Sequence, residues 1–131
     1  MTDGNLARLL WEAAERRGRL PAFLDRSRVT DYPTLAARTG ALAVALMRHR
    51  VAPGDRVAIF LERGPDAAAA LFAAYAVGAI SVVVNERYRP RQIEYTLEHS
   101  GAKALLTAPG MLDRQHRDLS TGCVVIDVSA R

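Results

Sequence analysis

Arg56-Val57-Ala58-Ile59-Phe60-Leu61-Glu62-Arg63-Gly64-Pro65-Asp66, running on through the alanine-rich segment Ala67 to Ala76 into Val77-Gly78-Ala79-Ile80-Ser81-Val82-Val83-Val84, decides the fold class. The run from Val57 to Leu61 is apolar throughout and too short for a buried helix. It follows a Pro53-Gly54 turn, and so reads as a strand buried on both faces. Gly64, Pro65 and Asp66 start a helix, since a proline in the first turn forfeits no hydrogen bond. Gly78 ends that helix where a left-handed residue is wanted, and residues 80 to 84 supply the next strand. The small alanine side chains let the helix lie close against the sheet.

The alternation continues outward from there. Pro90 opens a helix with Ile93 and Leu97 on its inner face, Gly101 ends it, and Ala104 to Thr107 make a third strand. A weaker helical pattern spans Met111 to Leu119, and Cys123 to Val128 form a fourth strand. Strands joined by helical segments imply a parallel sheet with helices on both faces, built from right-handed crossovers. The fold class is therefore α/β. Toward the N-terminus, Leu6, Leu9, Leu10, Ala13 and Ala14 fall at helical spacing as an apolar stripe, with the helix ending near Gly18. Ala22 to Asp25 and Arg28 to Asp31 flank Arg26-Ser27 as a short hairpin. Asp31 then caps a second helix that has Tyr32 and Pro33 in its first turn and buries Leu35, Leu42, Ala43 and Leu46. No linker, repeat or low-complexity segment divides residues 1 to 131, so one unit with one core is expected. The chain stops three residues after its last strand, where an α/β domain is expected to continue.

Composition excludes several classes. Half of the residues are apolar and 24% are charged, as in ordinary globular proteins. The alanine-rich run breaks at Gly78, well short of the length of a membrane span, and the N-terminus lacks the pattern of a secretory signal. A cytoplasmic protein without a membrane span is the expectation. The net charge of +4 comes from seventeen arginines and one lysine spread along the chain. The one dense cluster, Arg87-Tyr88-Arg89-Pro90-Arg91, is too short for a nucleic-acid stripe and suits a solvated loop or a smaller phosphate, so no nucleic acid is expected. The single cysteine, Cys123, forms no intrachain disulfide and sits in an apolar run, as a buried thiol does. Gly64, Gly78 and Gly101 are isolated helix punctuation with no phosphate-cradling loop around them. His49, His99 and His116 lie on separate elements without partners at metal-ligand spacing. Lys103 reads as a solvated charge at a helix end, and Tyr75, Tyr88 and Tyr95 as half-buried packing residues.

Longer blocks carry more. Asp31-Tyr32-Pro33-Thr34-Leu35, the helix after it, and Pro53-Gly54-Asp55-Arg56-Val57-Ala58 are followed by Val77-Gly78-Ala79-Ile80 with Val82 and Asn85. Then comes Ile93-Glu94-Tyr95-Thr96-Leu97-Glu98-His99-Ser100-Gly101-Ala102-Lys103. In order and spacing these blocks resemble the N-terminal segment of the adenylate-forming enzymes, the AMP-dependent synthetase and ligase superfamily that includes acyl-CoA synthetases. The resemblance runs from Leu6 to about Thr107. The chain departs from the family at Asp31, where threonine is usual, at Thr34, where glutamate is usual, and at Val83 and Glu86, where prolines are usual.

The resemblance implies an enzyme that joins a carboxylic acid to AMP and then passes the acyl group on to a thiol, with ATP, magnesium and coenzyme A as cofactors. The family's phosphate loop, magnesium-binding acidic residue, ribose-binding aspartate and C-terminal lysine have no counterpart here. This segment alone is therefore expected to be inactive and to bind none of the three. Asn85-Glu86-Arg87 stands where the family has Asn-Pro-Arg, which makes Arg87 the candidate contact for a coenzyme A phosphate; its ordinary alternative is a surface arginine after a strand. Asn85 favours acyl-CoA ligases over the amino-acid-adenylating domains of peptide synthetases, which tend to carry aspartate there. A stand-alone non-catalytic binding module is the third possibility. The expected partner is the remainder of the ligase or a second copy, met through an exposed apolar face.

Overall fold

The computed structural model describes residues 4–112 and 122–129. The first helix, α1, is Ala7–Arg17, and its inner face is Ala7 and Leu10, with Trp11 packed beside them. Leu6 and Leu9 are 53% and 60% exposed, so the apolar stripe read from the leucines is displaced. The reason is local. Leu6 stands before the first helical turn, and Leu9 lies two residues, about 200°, round the helix from the fully buried Ala7. Asn5 fixes the approach: its Oδ1 accepts from the Ala7 amide at 2.9 Å, and its Nδ2 donates to the carbonyl of Tyr75 at 2.6 Å.

Strands β1 (Pro21–Asp25) and β2 (Arg28–Asp31) pair antiparallel across the two-residue turn, where Arg26 takes a left-handed φ of 45°. Asp31 then caps α2 (Tyr32–Arg48), its carboxylate accepting from the Thr34 amide at 2.8 Å. Leu35, Leu42 and Leu46 are buried as the spacing requires. Thr39 is buried with them, and its hydroxyl is satisfied by the carbonyl of Leu35 at 2.9 Å.

The remaining elements alternate: β3 (Arg56–Phe60), α3 (Pro65–Ala76), β4 (Ile80–Val83), α4 (Pro90–Ser100), β5 (Ala104–Thr107) and β6 (Val124–Asp127). All four strands of this sheet are parallel, in the order β4-β3-β5-β6. The longer strands read from sequence survive as hydrogen bonds past the strand ends, Val84 N–H to the Ile59 carbonyl at 2.9 Å and Val128 N–H to Thr107 at 2.8 Å. The helix expected over Met111 to Leu119 falls mostly outside the described residues; Leu112 forms a single bridge with Pro109.

Strand order dictates the layers. The chain steps from β3 out to β4 in one direction, then returns over β3 to β5 in the other. Right-handed crossovers therefore place α3 and α4 on opposite faces. The core divides accordingly. Val57, Ile59, Ala104, Leu106 and Ile126 meet α3, α2 and α1 on one face, and Ala58, Phe60 and Leu105 meet Ile93 and Leu97 of α4 on the other. The α3 side is built for close approach, with Ala69, Ala70, Ala73 and Ala74 buried between α2 and the sheet. Gly78, with φ 75°, makes the turn into β4, and a Cβ there would meet the Pro53 Cβ at 3.2 Å. No described helix is long and apolar enough to cross a membrane.

Candidate functional site

Because the four strands are parallel, all their carboxyl ends open onto one edge. In open α/β sheets ligands bind at that edge, where strand order reverses. Here the reversal lies between β3 and β5. A cleft of about 460 Å³ sits over it, walled by Glu62 and Arg63 after β3, Glu86 and Arg87 after β4, and Met111 after β5. Three separate connections thus contribute, and both signs of charge are present.

The loop after β4 is organised by its own side chains. Asn85 Oδ1 accepts from the Arg87 amide at 2.9 Å and its carbonyl from the Tyr88 amide at 3.0 Å, a tight turn that presents Arg87 at the rim. Glu86 ties this turn to its neighbour, Oε2 accepting from the Arg63 amide at 3.3 Å. Among the described residues no ion pair holds the Arg87 guanidinium. It is exposed, permanently charged, and shaped to grip phosphate oxygens. Beneath the rim, Thr107 is buried, with its hydroxyl bonded to the Phe60 carbonyl at 2.9 Å, so β3 and β5 are pinned together where the cleft begins.

The opposite edge of the sheet holds Lys103. It is exposed, as a solvated charge is, and it is also engaged. Its ammonium donates to the Arg50 carbonyl at 2.6 Å and pairs with Asp55 at 3.2 Å. Asp55 also accepts from the Ala52 amide at 2.8 Å, and this backbone bond, followed by the lysine, holds its carboxyl below the ordinary range. Arg56 donates from Nε to the Ser100 carbonyl at 2.7 Å, placing a cation at the negative end of α4. This edge clasps structure and lies away from the cleft.

Among the described residues no three His, Cys, Asp or Glu side chains gather as a metal site. Burial pushes the half-buried Cys123 thiol up to about 11, out of the reactive range. Tyr75 packs edge-on to Phe72 at 6.2 Å and Tyr88 is 37% exposed, both as half-buried residues, whereas Tyr95 is 65% exposed and stacks on His99.

Arg87 is the one site residue expected from sequence, and it lines the cleft. Glu62 and Arg63 were within reach of the same logic, since they follow the end of a strand. Met111 was not, because nothing local marks which residue after β5 turns toward the others.

With this geometry in view, comparison with known proteins is informative. The family described as AMP-binding enzyme matches residues 10–130. The chain is 33% identical over 110 residues to surfactin synthase subunit 1 of Bacillus subtilis, a match covering 84% of the chain and 3% of that protein. It is 35% identical over 103 residues to a long-chain-fatty-acid–CoA ligase of Salmonella typhimurium, covering 78% of the chain and 18% of the ligase. It superposes on the N-terminal subdomain of Klebsiella oxytoca NpsA, solved with 3-hydroxybenzoyl-AMSN, with a TM-score of 0.76 and 27% identity over 95% of the chain and 30% of that structure. The chain therefore spans a small part of each protein it matches. A single family accounts for the parallel sheet, its flanking helices, the hairpin and the matched residues together: the chain belongs to the AMP-binding enzymes, the adenylate-forming synthetases and ligases, and corresponds to an N-terminal portion of one.

Proposed function

We propose that this chain is part of a cytoplasmic ligase that activates a carboxylic acid as its acyl-adenylate and transfers the acyl group to coenzyme A, with Arg87 holding a phosphate of the thiol's nucleotide. In the first half-reaction the carboxylate displaces pyrophosphate from ATP. In the second the thiol displaces AMP from the acyl carbon. Arg87 serves the second step alone. The observation that carries this reading is its position: a guanidinium without an ion-pair partner among the described residues, presented by the Asn85 turn at the carboxyl edge of the sheet. The chain by itself is not active, and in the enzyme its partner is the rest of the ligase chain, docked on apolar surface left open here.

Arg87→Ala in the full-length enzyme tests the assignment. Losing one charge-assisted phosphate contact costs about 1 to 3 kcal/mol, a rise of roughly five- to hundredfold in the KM for coenzyme A. Pyrophosphate exchange, which reads adenylation, stays near the wild-type rate. Equal losses in both assays would make Arg87 a residue of the fold, and no loss in either would make it an ordinary surface arginine. The similarity to surfactin synthase favours a second reading, an amino-acid-adenylating domain. On that reading amino acids stimulate exchange and no coenzyme A thioester forms.

A further inference from the structure

The antiparallel hairpin turns one face to the core. Phe23 packs against the buried cluster, and its register partner Thr30 is buried. Alternation then puts Leu24 and Val29, which stand directly opposite each other, on the outer face, where a half-buried sheet ordinarily carries polar residues. They are 74% and 62% exposed, and Leu20, just before β1, is exposed as well. The Tyr32 amide donates to the Leu20 carbonyl at 3.3 Å, which extends the pairing to that residue. The charge along this stretch is one-sided. Between Glu15 and Asp31 the chain carries Arg16, Arg17, Arg19, Arg26 and Arg28 against a single carboxylate, Asp25. That net charge of +4 is the net charge of the whole chain, so the remaining residues balance. All five arginines are exposed, and among the described residues none of them is held in an ion pair. Asp31 is committed to the cap of α2, with Arg19 acting on it through space.

We propose that the outer face of the hairpin rests on an anionic lipid bilayer, with Leu20, Leu24 and Val29 entering the headgroup region and the arginines meeting lipid phosphates. Binding of this kind needs buried apolar area and attraction to anionic lipid, and exposed apolar side chains flanked by permanent cations supply both. Arginine suits the boundary, since its stem covers apolar surface while its guanidinium reaches phosphate. Three apolar side chains are too few for a stable protein interface, which takes about 800 Å² from each partner, whereas a bilayer sets no such minimum. Nucleic acid would ask for aromatic rings among the charges, and Phe23 is turned inward. The hairpin packs chiefly on α2 and is not part of the parallel sheet, on whose edges the rest of the ligase is proposed to dock.

The experiment is cosedimentation of the full-length enzyme with vesicles of phosphatidylglycerol or of phosphatidylcholine, which needs no turnover and so stands apart from the choice of thiol. The wild type sediments with phosphatidylglycerol and not with phosphatidylcholine, and added salt releases it. Arg26→Gln and Arg28→Gln each lower the partition coefficient about fivefold, and Leu24→Ser lowers it about tenfold. All three positions are exposed and outside the cleft, so melting temperature and pyrophosphate exchange stay as in the wild type. Equal binding to both lipids, no binding to phosphatidylglycerol, or binding that none of the variants weakens, overturns the proposal. Absence of vesicle binding together with a lowered melting temperature in Leu24→Ser overturns it in favour of the rest of the ligase chain as the occupant. Absence of vesicle binding together with a dimer that Leu24→Ser dissociates overturns it in favour of a second copy.

Discussion

Asp55 and Asp31 show how single side chains make this fold depend on pH. The Asp55 carboxylate is held low by the Ala52 amide and then by Lys103, and the Asp31 carboxylate by the Thr34 hydroxyl and amide. A carboxyl whose folded pKa is lowered stabilises the fold above its unfolded value, about 3.9, and the contribution is lost as pH falls through the lower folded value. Both groups are exposed, so the effect is modest and screened by salt. Asp55→Asn keeps an oxygen for the Ala52 amide and removes only the charge. Its urea midpoint should lie below wild type at pH 7, and the two should converge as pH drops below about 4. A gap that persists unchanged at pH 2 would mean that the charge is irrelevant. Lys103 is solvated as its place implies, but its clasp was not legible, because its partners, Arg50 and Asp55, lie across the crossover between β3 and β5, and helix-end position does not reveal a tertiary contact. Glu86 was noticed only as a departure from the family, and its bond to the Arg63 amide shows what replaces the proline's rigidity there. The place of Arg87 at the cleft, as distinct from any role there, follows from the rule about strand ends.

Among the elements, α3 states its packing most directly in sequence. An alanine run has no other means of filling space than close approach, and the four buried alanines lie between α2 and the sheet. Ala73→Leu tests that approach. Leucine costs the helix itself only a few tenths of a kcal/mol, so a loss of about 1 to 3 kcal/mol in denaturant unfolding reports overpacking against the sheet, and a loss below about 0.5 kcal/mol would mean a looser interface. The strands were legible for the same reason as α3, since their apolar runs and glycine boundaries repeat one grammar. Their ends differed by a residue or so because hydrogen bonding continues one step past the strand at Val84 and Val128. The buried face of α1 was legible only in part, since Leu10 is buried as the spacing requires but Leu6 and Leu9 are exposed. Leucine outweighs alanine in any reading of hydrophobic spacing, yet Ala7 is fully buried while Leu9 faces out. The hairpin was placed nearly residue for residue, because the turn fixes its register by loop length.

As a whole molecule, the described residues form a sheet with no strand paired outside β4 or β6. Parallel sheets ordinarily sit inside α/β proteins with every strand covered, and edge strands are blunted by charge, proline or bulges. The outer strand β4, Ile80-Ser81-Val82-Val83, carries none of these, and Ile80 and Val83 are 54% and 70% exposed. At the other edge β6 offers Val125, 51% exposed, with Asp127 as its one charge. The hairpin differs: β1 begins with Pro21, and β2 carries Arg28 and Asp31. Among the described residues the edges of the parallel sheet are the ones that lack such protection. Backbone donors and acceptors on an open edge are satisfied by water or by a partner, and apolar side chains along the same edge favour the partner. The chain at high concentration should therefore self-associate and bind a dye for exposed apolar surface, as read by sedimentation and fluorescence. Val83→Lys should weaken association by placing a charge on the bare edge, at little cost to a fold in which Val83 is mostly solvated. On the proposal that the remaining ligase docks on these edges, its addition should compete with self-association. A strictly monomeric chain that binds no dye would contradict the docking of further ligase on these edges and favour a self-sufficient module.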